Sequence, residues 1–243
     1  MFLENRSALE PLVDALEFKG TSLECDSPKT QLFHSHINIV YPRFEDEFNE
    51  IGIGDFMKRR GLSHFSFHIG LSDATYPFIP IRHKSLEGRP LSREKILDNA
   101  KKSIDFLRTQ IGGVISAENL DYIEGGSYET VCEPDFITEF VERFDLAFLL
   151  DIGHLLVASR MLGRNPYDYL DELPLEKTHE IHFHKAETVD GVWRDLHALP
   201  TDEEYKILEK ALERAAPEFV NLECYSDPEG VAENLARLRE MVS

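Results

Sequence analysis

The chain of 243 residues is short of cysteine, of basic charge and of long apolar runs, and each shortage removes a class of protein. Cys25, Cys132 and Cys224 are odd in number and show no Cys-x-x-Cys pairing. They read as reduced thiols, which fits a cytoplasmic protein. Lys and Arg total 26 against 45 Asp and Glu, a formal charge of -19. Binding to a phosphate backbone needs cations to replace counterions, so nucleic acid is not an expected partner, and neither is an anionic membrane. No apolar stretch approaches the roughly 20 residues of a membrane span. Acidic and polar residues follow Met1, so no signal peptide is expected. There is no glycine-rich phosphate loop: "GGSYE" (125–129) lacks the Lys-Ser/Thr pair and opens no helix after a strand. No G-x-S-x-G elbow is present, and neither Cys132 nor Cys224 has a convincing histidine partner.

What is present is a regular alternation. The hydrophobic fraction of 42% supports a sizeable core. Strand-like runs at about 2–5, 20–25, 31–39, 64–70, 113–119, 146–151, 178–184 and 218–224 are mostly followed by helical patterns, among them "SALEPLVDALEF" after Ser7 and a long helix capped by Ser92. Eight strands with interleaved helices predict one (β/α)8 TIM-like barrel over residues 1–243, with an open doubly wound sheet as the alternative.

Strand parity locates the chemistry. Side chains alternate faces along a strand. In "SHFSFHIG", Phe65, Phe67 and Ile69 oppose His64, Ser66 and His68. In "QLFHSHINI", Phe33, Ile37 and Ile39 oppose His34, His36 and Asn38. Glu118 opposes Ala117, Asp151 opposes Leu150, His182 and His184 oppose Phe183, and Glu223 opposes Leu222. With the apolar faces under the helices, the polar faces point inward and end at the carboxyl mouth, where barrel enzymes work. "LLDIGHLLVASR" (149–160) then makes sense: Asp151 ends a strand, His154 opens the next helix, and Gly153 between them is expected to supply unusual backbone angles. "VWRDLHALP" adds Asp195 and His197 on a loop. Buried carboxylates are costly unless paired or metal-bound, and few cations are available inside. Imidazoles mixed with carboxylates suit divalent transition metals. The set comprises His36 or His34, His68, Glu118, Asp151, His154, His182, Asp195, His197 and Glu223, which is too many for one ion. His184 reads as ligand, substrate contact or exposed residue, while His34, if not the second-strand ligand, reads with His64, His83 and His179 as satisfied or solvated and Trp193 as packing.

The blocks "AENL" (117–120), "LLDIGHLLVASRMLG" (149–163), "YLDELPLEKTHEIHFH" (169–184), "DLH" (195–197) and "NLECY" (221–225) together resemble the multinuclear non-heme iron oxidases of the xylose-isomerase-like barrel superfamily. The resemblance is good over about 113–243 and loose before it. It implies iron ligation by Glu118, Asp151, His154, His182, Asp195, His197 and Glu223, with His68 and either His36 or His34 completing the set. It further implies two or three iron ions, with Mn or Zn as alternatives, and dioxygen-dependent modification of a cysteine in a peptide or of a small thiol. Asn119, His34 and His184 are further possible metal or substrate contacts; His184 stands where a small residue is common in the family. Two other readings remain: a metal-dependent sugar isomerase, epimerase or hydrolase, and a non-catalytic metal- or peptide-binding barrel.

Overall fold

The computed structural model describes residues 2–21, 25–80, 88–224 and 227–241. His83, Tyr225 of the "NLECY" block and residues 22–24 of the expected second strand lie outside the described residues. Strands β1 (Ala15–Phe18), β2 (Thr30–Ser35), β3 (His64–His68), β4 (Val114–Glu118), β5 (Ala147–Asp151) and β6 (Thr178–Phe183) run in parallel. A hairpin of β7 (Lys185–Val189) and β8 (Val192–Ala198) follows, and β9 (Phe219–Leu222) then pairs with β6 in parallel. The helices are α1 (Arg6–Leu9), α2 (Phe44–Ile51), α3 (Ile53–Arg60), α4 (Arg93–Gln110), α5 (Pro134–Arg143), α6 (Ile152–Met161), α7 (Pro166–Asp171), α8 (Asp202–Leu212) and α9 (Pro228–Met241).

The sheet has seven strands among the described residues, not the expected eight. The stretch 2–5 is largely one turn of 3-10 helix, and the helix expected over 7–18 gives way to β1. In "ALEFK", Leu16 and Phe18 alternate with Ala15, Glu17 and Lys19, a strand period hidden behind good helix formers. The edge strands β1 and β9 approach each other: Asn221 Nδ2 donates to Glu17 Oε2 at 3.1 Å. The sheet is thus a nearly closed barrel.

The helix-facing side is an aromatic core. Phe33 stacks on Phe65 at 5.9 Å, and Phe48, Phe67, Phe136 and Phe140 are fully buried around them. Each such ring contributes about 1.5–3 kcal/mol by leaving water. Ser92 caps α4 by accepting from Lys95 N–H, and Ile96, Ala100, Ile104 and Leu107 recur at helical spacing on its buried face. Residues Ile152 to Ser159 of α6 are all buried, so that helix is wrapped on every side. The barrel interior is different. Among the inward positions, Leu32 and Leu149 are buried apart from the helix-facing core, and most of the rest is polar.

Candidate metal centre

Register brings the strand ends together. His68 is the Cα partner of Glu118 across β3–β4, and Asp151 that of His182 across β5–β6. Parity turns all four inward, and His184 and Glu223 follow one step beyond β6 and β9. The hairpin carries Asp195 and His197 to the same mouth. Its turn is Asp190-Gly191, both in the left-handed region (φ 52 and 80), as a tight two-residue hairpin requires. An Asp-Gly between "KAETV" and "VWRDLHA" is a strong hairpin signal; the expected loop is a strand pair instead. Arg160 of α6 packs 3.7 Å over the Trp193 ring, which ties the hairpin to that helix.

Every expected site residue joins one cluster, buried except for half-buried His36 and His197 at its rim. Glu118 is at its centre. Its Oε2 lies 3.3 Å from His34 Nε2 and 3.2 Å from His68 Nε2, and its Oε1 lies 3.0 Å from His182 Nδ1. His182 Nδ1 also faces Glu223 Oε1 at 3.4 Å and Asp151 Oδ2 at 3.9 Å. Around Asp195, His197 Nδ1 lies 3.0 Å away, His184 Nδ1 3.1 Å and His154 Nε2 3.7 Å. Both second-strand histidines belong here. His34 is buried against Glu118, while half-buried His36 stands at the rim with its ring 5.2 Å from that of His68.

Outer partners fix which ring nitrogen faces inward. His34 Nδ1 bonds Ser66 Oγ at 2.9 Å, His154 Nδ1 bonds the Asn119 carbonyl at 2.9 Å, and His182 Nε2 bonds Glu17 Oε1 at 3.0 Å. Each ring is left with one nitrogen aimed at carboxylates, the arrangement metal-binding histidines adopt. The Asn119 amide is used at both ends by the Asp151 backbone, accepting at 2.8 Å and donating at 2.9 Å, so it positions the strand end. Buried His34 Nε2 and Glu118 Oε2 are close together yet make no hydrogen bond. Such a pair is expensive unless something sits between the atoms, and a divalent cation fits.

Two groups escaped the sequence reading. Glu17 and Lys19 lie in β1 and just after it, where a helix was expected. Lys19 Nζ pairs with Glu223 and lies 3.8 Å from Glu17. Strand parity would have placed both inward had β1 been recognised.

Gly153 lies within α6, with φ outside the left-handed region. Its role is space and not the backbone freedom expected. A Cβ there would sit 2.8 Å from His184 Nε2 and closer still to Cε1 and Nδ1. His184 is wholly buried, bonded to Asp151 Oδ2 at 2.8 Å and stacked on His197 at 4.5 Å.

Burial and charge oppose each other throughout. Burial lowers the affinity of His182 for a proton, but Glu223, Glu17 and Glu118 together raise its pKa well above the ordinary imidazole value. Burial is likewise overcome at His154, by Asp151 first, and at His197, where bonds to Asp195 and Glu223 raise the pKa to about 9. Burial raises Glu118, and it raises Glu17 to about 7 against the pull of His182 and Lys19. At Asp151, Asp195 and Glu223 burial is outweighed by neighbouring imidazoles, which hold these carboxyls low.

A pH dependence follows for metal-free protein. Imidazoles raised on folding stabilise fully below their ordinary value of 6.5, and that stability is lost as pH climbs through the folded value, about 9 for His197. Glu17, raised from 4.5 to about 7, acts in the same direction as it ionises. The depressed carboxylates stabilise above their ordinary values and lose that effect in acid. Chelator-treated protein should therefore melt at its highest temperature in mild acid and lose Tm steadily between about pH 6.5 and 9. Metal-loaded protein should not decline in that window. A flat Tm profile for the chelated form would contradict the charged cluster.

A family model described as "RiPP precursor modification enzyme MbnB/TglH/ChrH" matches residues 52–241, most of the chain and all of the cluster except His34, His36 and the β1 groups. The chain belongs to this family. A UPF0276 protein of Streptomyces avermitilis is 29% identical over 128 residues, covering 52% of this chain and 26% of that protein. A UPF0276 protein of Acaryochloris marina is 29% identical over 125 residues, covering 51% and 45%. The matched segments thus span less than half the length of either relative. Among solved structures, a D-tagatose 3-epimerase-like protein superposes with a TM-score of 0.60 at 17% identity, covering 94% of this chain and 89% of the other. That likeness establishes the TIM-barrel fold alone. No helix among the described residues is long and apolar enough to cross a membrane.

Within the family frame, Asp151 has two separable tasks. Its Oδ1 caps α6 by accepting from His154 N–H at 2.7 Å, while Oδ2 faces the cluster. Asparagine caps nearly as well as aspartate, whereas alanine costs about 0.5–2 kcal/mol. Asp151→Asn should keep the cap but lower both the bound metal and the Tm of chelated protein, because His154 and His184 lose the buried charge that pairs them. Asp151→Ala should lower Tm further, by the lost cap. Full metal in either variant by elemental analysis would leave Asp151 only its cap.

Proposed function

We propose that this chain is a metal-dependent oxidative enzyme, one barrel domain holding two or three iron ions, that modifies a cysteine in a ribosomally made peptide or a related small thiol. The observation that supports this most is the convergence at one mouth of more donors than a single ion can use, with His34 Nε2 and Glu118 Oε2 buried, adjacent and not hydrogen-bonded.

The donors fall into three sets. His34, His36 and His68 with Glu118 Oε2 would hold one ion. His182 Nδ1, Asp151, Glu223 and Glu118 Oε1 would hold a second, with Glu118 shared. His154 Nε2, Asp195 and His197 would hold a third, with His184 between Asp195 and Asp151. Bound iron would supply affinity for a thiolate and the redox capacity to use dioxygen. The protein's part is to fix that site. Glu17, Ser66 and the Asn119 carbonyl hold the ring nitrogens in orientation, and Lys19 balances Glu17 and Glu223. The pKa values of His154, His182, His184 and His197 are raised in the metal-free chain, so loading must displace protons and metal binding should strengthen with pH.

The test is dioxygen uptake. Protein loaded anaerobically with Fe2+ should consume dioxygen when given a cysteine-containing peptide, foremost one encoded beside its gene, and the product should differ in mass at that cysteine. No uptake with peptides or thiols, beside turnover of a ketose with Mn2+, would assign the mouth to an isomerase or epimerase. Neither activity, with metal retained, would leave a binding barrel.

A further inference from the structure

At the amino end of the barrel, away from the mouth, three other groups meet. His64 opens β3, four residues and about 13 Å before His68. His179 lies near the start of β6, and Glu218 directly precedes β9. Parity along β6 sets His179 opposite the inward Glu180 and His182, but the strand is irregular there. Phe148 pairs with Thr178 and Leu149 with Glu180, so His179 is an extra residue in a bulge. Bulges re-aim side chains. Here the result is an imidazole parallel to that of His64, a strand from the far side of the sheet, at 5.2 Å and 10°. Glu218 is locked to the same spot, its N–H donating to the His179 carbonyl at 2.8 Å.

The donor atoms converge. Glu218 Oε2 lies 3.5 Å from His179 Nε2 and 4.0 Å from His64 Nε2, and all three atoms lie within 4.8 Å of one another. Two ligands of one tetrahedral zinc ion stand about 3.3 Å apart, so small ring rotations suffice. The other nitrogen of His64 is turned away to Ser63 Oγ at 3.3 Å, and His179 Nε2 is buried without a hydrogen bond. Phe219 closes one side, its ring edge-on to both imidazoles at 5.2 and 5.9 Å. Two imidazoles and a carboxylate, with water in the fourth position, make a complete set for a borderline-soft divalent cation.

We propose that His64, His179 and Glu218 form a separate divalent transition-metal site at the barrel floor, taking Zn2+ or a cation of the same class and tying β3, β6 and β9 together. This site is independent of the mouth and of the activity proposed for it.

Zinc stoichiometry tests it. Protein carrying its resident metals is dialysed against buffered Zn2+, and total metal per chain is measured for wild type, His179→Gln and Glu218→Gln. Glu218 is half-exposed, so its substitution leaves folding intact even if His179→Gln does not fold. Wild type should hold one zinc more per chain than Glu218→Gln or His179→Gln, with the metal of the mouth unchanged in all. A crystal of wild type should show an anomalous peak at the zinc edge between the three side chains. Equal zinc in wild type and Glu218→Gln, or peaks at the mouth alone, would mean that the rings merely plug the barrel floor.

Discussion

Replacing Glu118 with alanine is expected to empty most of the mouth of metal in one step. Both of its oxygens face imidazoles: His34 and His68 approach one oxygen within 3.3 Å, and His182 is bonded to the other at 3.0 Å. In the proposed arrangement two ions share this carboxylate, so its loss weakens both. Removing an outer partner of a metal ligand costs on the order of 10–100-fold in affinity, and a shared ligand should exceed that. Glu17→Gln provides the comparison. It keeps an acceptor for His182 Nε2 but removes the charge, and its loss should fall inside the 10–100-fold range. Metal content by elemental analysis and affinity by chelator competition give both numbers. Wild-type metal content in Glu118→Ala would defeat the multinuclear reading. Equal losses in the two variants would mean that Glu118 acts only through His182.

The second large effect is expected at Gly153. Gly153→Ala adds one carbon inside contact distance of a ring that has nowhere to go. His184 is held by Asp151 at 2.8 Å and Asp195 at 3.1 Å, with His197 stacked flat against it at 4.5 Å. Overpacking of this kind costs about 1–3 kcal/mol, and at this chain length each kcal/mol lowers Tm by roughly 2–4 °C. Bound metal should fall as well, because the displaced ring pushes on both carboxylates. The double variant Gly153→Ala with His184→Ala removes the clash, so its Tm should exceed that of Gly153→Ala alone. Contacting residues couple by about 0.5–3 kcal/mol, which the double-mutant cycle will read directly. Gly163→Ala is the contrast. Its φ of +68 strains any side chain, but nothing lies within 4 Å, so only a backbone penalty is expected and no loss of metal. If Gly153→Ala keeps wild-type Tm and metal, His184 is not confined as described.

The two glycines show what could be read in advance and what could not. That Asp151 and His154 face one mouth follows from local rules: a strand ends, a helix begins, and the spacing is short. That Gly153 is required by the ring of His184 depends on β6 lying beside β5, which no local pattern contains. The same division applies to β1. Its residues are good helix formers with only four positions of alternation, so propensity concealed a strand that tertiary pairing with β2 stabilises. With β1 misread, Glu17 and Lys19 could not be placed. Asp195 and His197 are assigned to the mouth from sequence alone; that an antiparallel pair turning at Asp190-Gly191 carries them there, and not a loop, is what the structure adds.

Alternation along β3, β4, β5, β6 and β9 by itself determined the polar inward face, and with it the convergence of His68, Glu118, Asp151, His182 and Glu223. The reason is geometric: a two-residue period is fixed by the backbone, and one apolar face admits one orientation in a barrel. Only the tertiary structure decided the strand count, the close approach of β1 to β9 that brings Glu17 to His182, and the ring nitrogen that each histidine turns inward. Those depend on partners far apart in the chain, such as Glu17 and Asn221, His34 and Ser66, or His64 and His179. Such pairs form when the sheet curls on itself, and curvature is a property of the packed whole that local sequence does not encode.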